Sequence, residues 1–298
     1  MRSALCTEAQ LTSDTFVAWA DRIRPAWDLE ASGVPVGMHR KIWEWLFIIE
    51  ALHQLDMLRP GRRGLGFGVG RDPLAAFFAS LGCTVVATDL DETEAAAAGW
   101  TDTGQHASGL AALNGAGLCD PDAFAERVSF RVVDMNDIPA DLRDFDFVWS
   151  ACAFEHLGSL ARGERFVVEA MQCLRPGGVA VHTTEFNVGS NGRTVVDGPT
   201  VLYRQRDIER LVRALRRRGS VVEPVDFDPG AAPADRHVDV PPWSGTHLKL
   251  EIERHVSTSI ALVVKKQRER RVPSLPVAAR ETWARVTQGL HAHPPSAA

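Results

Sequence analysis

From residue 63 onward, short apolar runs alternate with amphipathic or alanine-rich stretches. The apolar runs cover residues 64–68, 84–88, 128–133, 145–150 and 179–184, with later ones at 221–227 and 257–264. Each has the length of a strand. Between them, residues 73–81, 92–98, 161–174 and 207–218 read as helices. Strands alternating with helices predict right-handed crossovers and a mainly parallel α/β sheet. Arg175-Pro176-Gly177-Gly178 reads as a helix stop before a strand: glycine supplies the positive φ and proline prevents continuation. Residues 1 to about 60 read as helical instead. In 41–50, Lys-Ile-Trp-Glu-Trp-Leu-Phe-Ile-Ile-Glu, apolar residues cover most of a helix circumference, and Pro60-Gly61 ends that region. The predicted organisation is a helical extension or cap over 1–60, an α/β domain over 61–270, and a tail over 271–298 with one short helix near 280–290. No repeat of solenoid or propeller period is present.

Composition narrows the class. The chain has 298 residues, 45% apolar and 24% charged, as in a soluble globular protein. No apolar run reaches the roughly 18 residues of a membrane helix. The best candidate, 42–55, is interrupted by Glu44, Glu50, His53 and Gln54. The first eight residues lack the apolar core of a signal peptide, so a cytoplasmic protein without membrane partners is expected. A net charge of -5 argues against a general nucleic-acid binder. The five cysteines (Cys6, Cys83, Cys119, Cys152, Cys173) include no C-x-x-C pair and are expected as reduced thiols.

Candidate chemistry begins at Gly64-Leu65-Gly66-Phe67-Gly68-Val69-Gly70, where the first strand turns into a helix. Glycines there let the backbone approach a ligand closely. The spacing is G-x-G-x-G and not the dinucleotide G-x-G-x-x-G, because Arg71 stands at the last position. About 20 residues on, a second strand ends in Asp89, placed as an acid that accepts hydrogen bonds from ribose hydroxyls. Val132-Val133-Asp134-Met135 follows the third strand, Phe145–Ser150 is the fourth, and Leu174-Arg175-Pro176-Gly177-Gly178 precedes the fifth.

In this order and spacing the set resembles the class I S-adenosylmethionine-dependent methyltransferases, over roughly residues 60–265. The resemblance implies a Rossmann-like seven-stranded sheet with one antiparallel strand, for which 257–264 fits. It implies S-adenosyl-L-methionine as cofactor, with Gly66, Gly68 and Gly70 around its methionine part. It implies Asp89 at the ribose, Asp134 at the adenine amino group with Met135 beside the ring, and Ser150 near the sulfonium. One departure stands out: the family usually has an acid where this chain has Gly64, which leaves Asp72 as a candidate to hold the ammonium group.

Ligands of open parallel sheets bind beyond the carboxyl ends of the strands, so polar residues there are the candidates for catalysis. His156, after the fourth strand, suits a general base at neutral pH, or packs on the cofactor side as a helix-start residue. His182 and Glu185 close the fifth strand; alternation sends His182 and Thr184 to one face, Thr183 and Glu185 to the other. Gln105 and His106, with Trp100, are candidates to line the acceptor pocket. Residues 230–247, long for a turn and carrying Asp235, His237, Asp239 and His247, read as a lid or a surface excursion. No pair has a recognised metal-ligand spacing, so no metal ligand is assigned, and a divalent metal stays only as an alternative cofactor. The expected function is methylation of a small molecule or glycan, with a hydroxyl of a sugar or natural-product intermediate favoured. The alternative is a non-catalytic cofactor-binding regulator or scaffold.

Overall fold

Glycines at 64 and 66 shape the centre of the sheet. In the computed structural model, which describes residues 1–28, 38–91, 109–243 and 245–267, Gly64 lies beside Phe147 and Gly66 beside Trp149 on the neighbouring strand. A Cβ at either position would stand 2.4 Å from the adjacent aromatic ring. The two rings therefore occupy the space that side chains at 64 and 66 would need. This packing excludes an acid at position 64.

The strands, in chain order, are β1 (Ser3–Leu5), β2 (Arg63–Phe67), β3 (Thr84–Asp89), β4 (Val128–Val132), β5 (Phe145–Ala151), β6 (Leu174–Asn187), β7 (Ser220–Val222), β8 (Val225–Asp226), β9 (Leu250–Ile252) and β10 (His255–Lys266). Three helices precede β2: α1 (Glu8–Leu11), α2 (Asp14–Asp28) and α3 (Arg40–Gln54). The sheet runs β4-β3-β2-β5-β6-β10-β1-β8. Strands β4, β3, β2, β5 and β6 are mutually parallel, and β10 is antiparallel to β6. The parallel sheet and its antiparallel last strand follow the sequence pattern.

The far side of β10 does not. A single strand over 221–227 is expected there. Instead β7, β1 and β9 pair in turn along β10, and β8 pairs with β1, giving ten strands in place of seven. Glu223-Pro224 breaks the expected strand, because proline has no N–H for a ladder. The first residues of the chain fill the gap. Ser3 Oγ donates to Glu223 O at 3.3 Å and accepts from Val263 N at 3.0 Å. The N-terminal segment is thus part sheet, not wholly helical.

Side chains alternate between two buried layers. Phe147, Trp149, Val179, Val181, Ala261 and Val263 face α2, α3 and the helix Leu74–Ser80. Val148, Ala180, Ile260, Leu262 and Val264 face the helices Leu160–Ala170 and Gln205–Arg217. Gly177, with φ +82, lies inside β6, which starts at Leu174, earlier than the strand expected from 179; the pairing with β5 shifts register across it instead. All five cysteines are free. Among the described residues, no helix is long and apolar enough to cross a membrane. The helices predicted at 92–98 and 280–290, and Trp100, Gln105 and His106, lie outside the described residues.

Candidate active site

The glycine loop leaves β2 with Gly68 at φ +54 and Gly70 at φ +51, a backbone region that favours glycine. Asp89, at the end of β3, accepts from Gly70 N at 2.9 Å through Oδ2 and from Leu90 N at 2.9 Å through Oδ1. This carboxylate fixes the loop next to the end of its own strand. Asp134 is exposed, and its Oδ1 accepts from Asn136 N at 2.7 Å. Met135 beside it is buried. A Cβ on Gly68 would lie 2.9 Å from Ala153 Cβ and 3.1 Å from Met135 Sδ. The loop, the turn after β4 and the turn after β5 therefore meet at one edge.

Ser150 and His182 face each other across β5 and β6, with Ser150 Oγ 2.8 Å from His182 Nδ1. Both are fully buried. The His182 ring packs edge-on to Phe154 and Phe166, and burial pushes its pKa down to about 3. A neutral imidazole enclosed by aromatic rings is part of the core, which removes His182 as a base open to an acceptor. His156 is partly buried after β5, its Nδ1 2.9 Å from Pro199 O. Burial, the largest influence, pushes it down to about 4. The alternation predicted for β6 holds: Thr184 Oγ1 donates to Glu155 Oε2 at 3.0 Å on one face, and Glu185 pairs with Arg40 on the other.

Hydrophobic periodicity does not reveal the start of α3. His39 caps this helix, its Nδ1 accepting from Lys41 N at 3.0 Å. Arg40, Lys41 and Glu44 then point one turn of charge at the ends of β5, β6 and β10. Arg40 pairs with Glu44 (3.1 Å) and with Glu185, and it reaches Ser259 Oγ at 3.3 Å. Lys41 Nζ donates to Ala151 O at 3.1 Å and stands 3.6 Å from Asp72 and 3.5 Å from Glu44. Glu44 is fully buried. Burial alone would raise its pKa, but Lys41 and Arg40 outweigh that and hold it below the usual carboxylate range. For Glu185 the balance goes the other way: burial raises it despite Arg40.

Cys152 follows β5 with φ +47, uncommon for a residue bearing a side chain. Its N–H is held by Thr183 Oγ1 at 3.0 Å, and its thiol donates to Glu44 at 3.0 Å. Burial first, then the charges of Glu155 and Glu44, keep that thiol protonated. Cys152, Glu155 and Glu185 place one donor atom each within 4.8 Å of one another. The Arg40 guanidinium, paired with Glu185 and 3.8 Å from Cys152 Sγ, already brings positive charge to this cluster. Glu155 itself is fully buried, and its pKa is pushed up to about 7 by burial first and by the charge of Glu44.

The excursion at 230–247 fastens onto the same place. His247 Nδ1 lies 2.6 Å from Asp239 Oδ2, and the His247 ring stacks on His39 at 4.6 Å. Arg40 N donates to His247 O at 3.0 Å.

Residues 65–182 match the family model described as "Methyltransferase domain". Residues 65–182 thus carry a methyltransferase domain. The methyltransferase match runs from β2 through the glycine loop and Asp89 to His182 on β6. No curated protein matches the sequence significantly. Among solved structures, the chain is similar to the 1,6-didemethyltoxoflavin-N1-methyltransferase of Burkholderia thailandensis, at 18% identity over 87% of this chain and 88% of that one, with a TM-score of 0.46. It is also similar to an S-adenosylmethionine-dependent methyltransferase from Mesorhizobium loti (19% identity, 72% and 96% covered, TM-score 0.44). A TehB-like methyltransferase from Corynebacterium glutamicum is similar at 17% identity, with 88% and 100% covered and a TM-score of 0.44. Nothing about this chain's acceptor follows from them.

The residues present suit the cofactor. The glycine loop bends where two positive-φ glycines allow it, and Asp89 stands beside it. In the buried cluster next to the loop, four carboxylates (Glu44, Asp72, Glu155, Glu185) face two cations (Arg40, Lys41). That surplus of carboxyl groups over cations suits a sulfonium.

Proposed function

We propose that this enzyme methylates a hydroxyl of a small molecule, with a sugar or a natural-product intermediate as the acceptor class. The observation that carries the reading is the buried, carboxylate-rich cluster at the carboxyl ends of β5 and β6, beside the glycine loop. A hydroxyl must lose its proton as it is methylated, and carboxylates in a desolvated place accept protons near neutral pH. Bound there, the cofactor supplies a methyl carbon already activated by a positive sulfur.

The chain's own part is alignment and proton transfer. Gly66, Gly68 and Gly70 cradle the methionine portion. Asp89 binds the ribose hydroxyls, and Asp134 with Met135 binds the adenine. Asp72 takes the ammonium group in place of the acid that Phe147 excludes at position 64. Ser150 acts through His182, holding β5 and β6 together under the sulfonium end. His156 and Glu185 border the acceptor side, and residues 230–247 cover it.

Mass-shift assays with labelled cofactor against polyhydroxylated, amine and carboxylate acceptors test the reading. Transfer to a hydroxyl supports it. Transfer only to amines or carboxylates overturns the acceptor class, and failure to bind S-adenosylhomocysteine in calorimetry overturns the cofactor site.

A further inference from the structure

Glu155 differs from the other carboxylates of the cluster. Glu44 is held by Arg40 and Lys41, Asp72 stands beside Lys41, and Glu185 is held by Arg40 and Ser257. Glu155 Oε2 accepts a hydrogen bond from a neutral donor, Thr184 Oγ1, at 3.0 Å. Its Oε1 is buried with no hydrogen-bond partner among the described residues, and His156 Nε2 stands 3.8 Å away. A buried carboxylate with no cation in hydrogen-bonding contact is costly as an ion, so such a group is either protonated or waiting for a closer positive charge. The turn that carries Glu155 also carries Ala153, whose Cβ would stand 2.9 Å from a Cβ placed on Gly68 of the loop. Lys41 ties the same region together by joining Ala151 O to Asp72.

We propose that Glu155 takes the proton of the acceptor hydroxyl, and that its own charge is set by that of the cofactor sulfur. The inference rests on the cofactor placement given above. Glu155 is a carboxylic acid in the free enzyme and loses its proton when a sulfonium arrives beside it. In the transfer, the acceptor oxygen bonds the methyl carbon while the carbon–sulfur bond breaks with its electron pair going to sulfur. The hydroxyl proton goes to Glu155 Oε1. A sulfonium and a carboxylate become a thioether and a carboxylic acid, so the buried site carries the same net charge before and after the step.

The groups that face Glu155 give the direction. Glu44 from α3 and Glu185 from β6 disfavour its ionised form; Arg40 from α3 favours it. Thr184 stabilises the carboxylate by hydrogen bonding. His156 is held neutral by burial, and the Tyr203 hydroxyl stays protonated for the same reason. A new positive charge lowers an acid's pKa. Binding S-adenosylmethionine near pH 7 therefore releases a proton, and binding S-adenosylhomocysteine does not.

Calorimetric titration of the intact enzyme with each of the two ligands, in buffers of different ionisation enthalpy, reads this directly. Between pH 5.5 and 7.5 the affinity for S-adenosylmethionine relative to S-adenosylhomocysteine is expected to rise about tenfold and then level off. Glu155→Gln keeps a bond with Thr184, binds S-adenosylhomocysteine within about threefold of the parent, and loses the pH-dependent difference. The amino group of either ligand titrates near 8 and affects parent and variant alike. If Glu155→Gln does not fold, the parent's own ratio between pH 5.5 and 6.5, where that amino group stays protonated, decides. A parent ratio that does not change with pH, or a variant that releases the parent's proton, overturns the proposal. A parent that binds neither ligand overturns the cofactor site instead.

Discussion

Removing Arg40 tests the charge balance of the whole cluster. In Arg40→Met the side chain keeps its length and apolar stem but leaves Glu44 with Lys41 alone and Glu185 with no cation. Both carboxylates are almost fully buried. Breaking a buried pair by deleting one partner costs about 3–5 kcal/mol, because the remaining charge is neither solvated nor paired. In a domain of this size each kcal/mol lowers Tm by about 2–4 °C, so a fall of roughly 6–20 °C is expected at pH 8. The sign with pH follows from the acids. Without Arg40, Glu185, already raised by burial, is raised further, and Glu44 keeps Lys41 alone against burial. The deficit is then full above the folded values and shrinks as pH falls toward the unfolded ones, near 4.3. Urea unfolding followed by circular dichroism at pH 5 and pH 8 measures both deficits. Glu185→Gln added to Arg40→Met is expected to recover part of the loss at pH 8. An Arg40→Met deficit equal at the two pH values would show that the guanidinium acts by packing, and the electrostatic account of this site would fall.

Gly64→Asp restores the acid usual in the family, yet its Cβ meets the Phe147 ring at 2.4 Å. A loss of about 1–3 kcal/mol is expected, partly relieved by Phe147→Leu; a stable variant with tighter cofactor binding would contradict this packing. Asp89→Ala removes the acid beside the loop and the acceptor for Gly70 N, so S-adenosylhomocysteine affinity is expected to fall by about 10–150-fold in calorimetry. Unchanged affinity would refute the ribose assignment. His182, buried neutral with its pKa near 3, binds its proton more readily in the unfolded chain. Its share of stability is present above about pH 6.5 and declines by up to about 1.4 kcal/mol per unit below it. His182→Leu is expected to flatten that decline in unfolding titrations from pH 7 to 4, and an unaltered slope would show that His182 is not the group responsible.

Much of this molecule is determined by local sequence. The alternation of apolar runs and helices sets the parallel sheet, because strand period and crossover handedness are local properties. Gly68 and Gly70 announce the loop, since few other residues adopt its backbone, and Asp89 follows at the end of the next strand. The two-residue period of β6 is enough to separate His182 from Glu185. Tertiary structure decided what these residues face. Position 182 reads as a site histidine until the helix Leu160–Ala170 brings Phe166 over it and burial makes it core. The short β1 carries no periodic signal, and it becomes a strand because Pro224 breaks the strand expected beside β10. Above all, Arg40 and Glu44 sit at the start of a helix whose apolar run reads as a cap. Glu44 meets Cys152 across 108 positions and Ser259 across 215. Hydrophobic periodicity reports which face of an element is buried. The charge balance of a buried site depends on which distant elements meet there, and only the packing of α3 on β5, β6 and β10 brings those carboxylates and cations together.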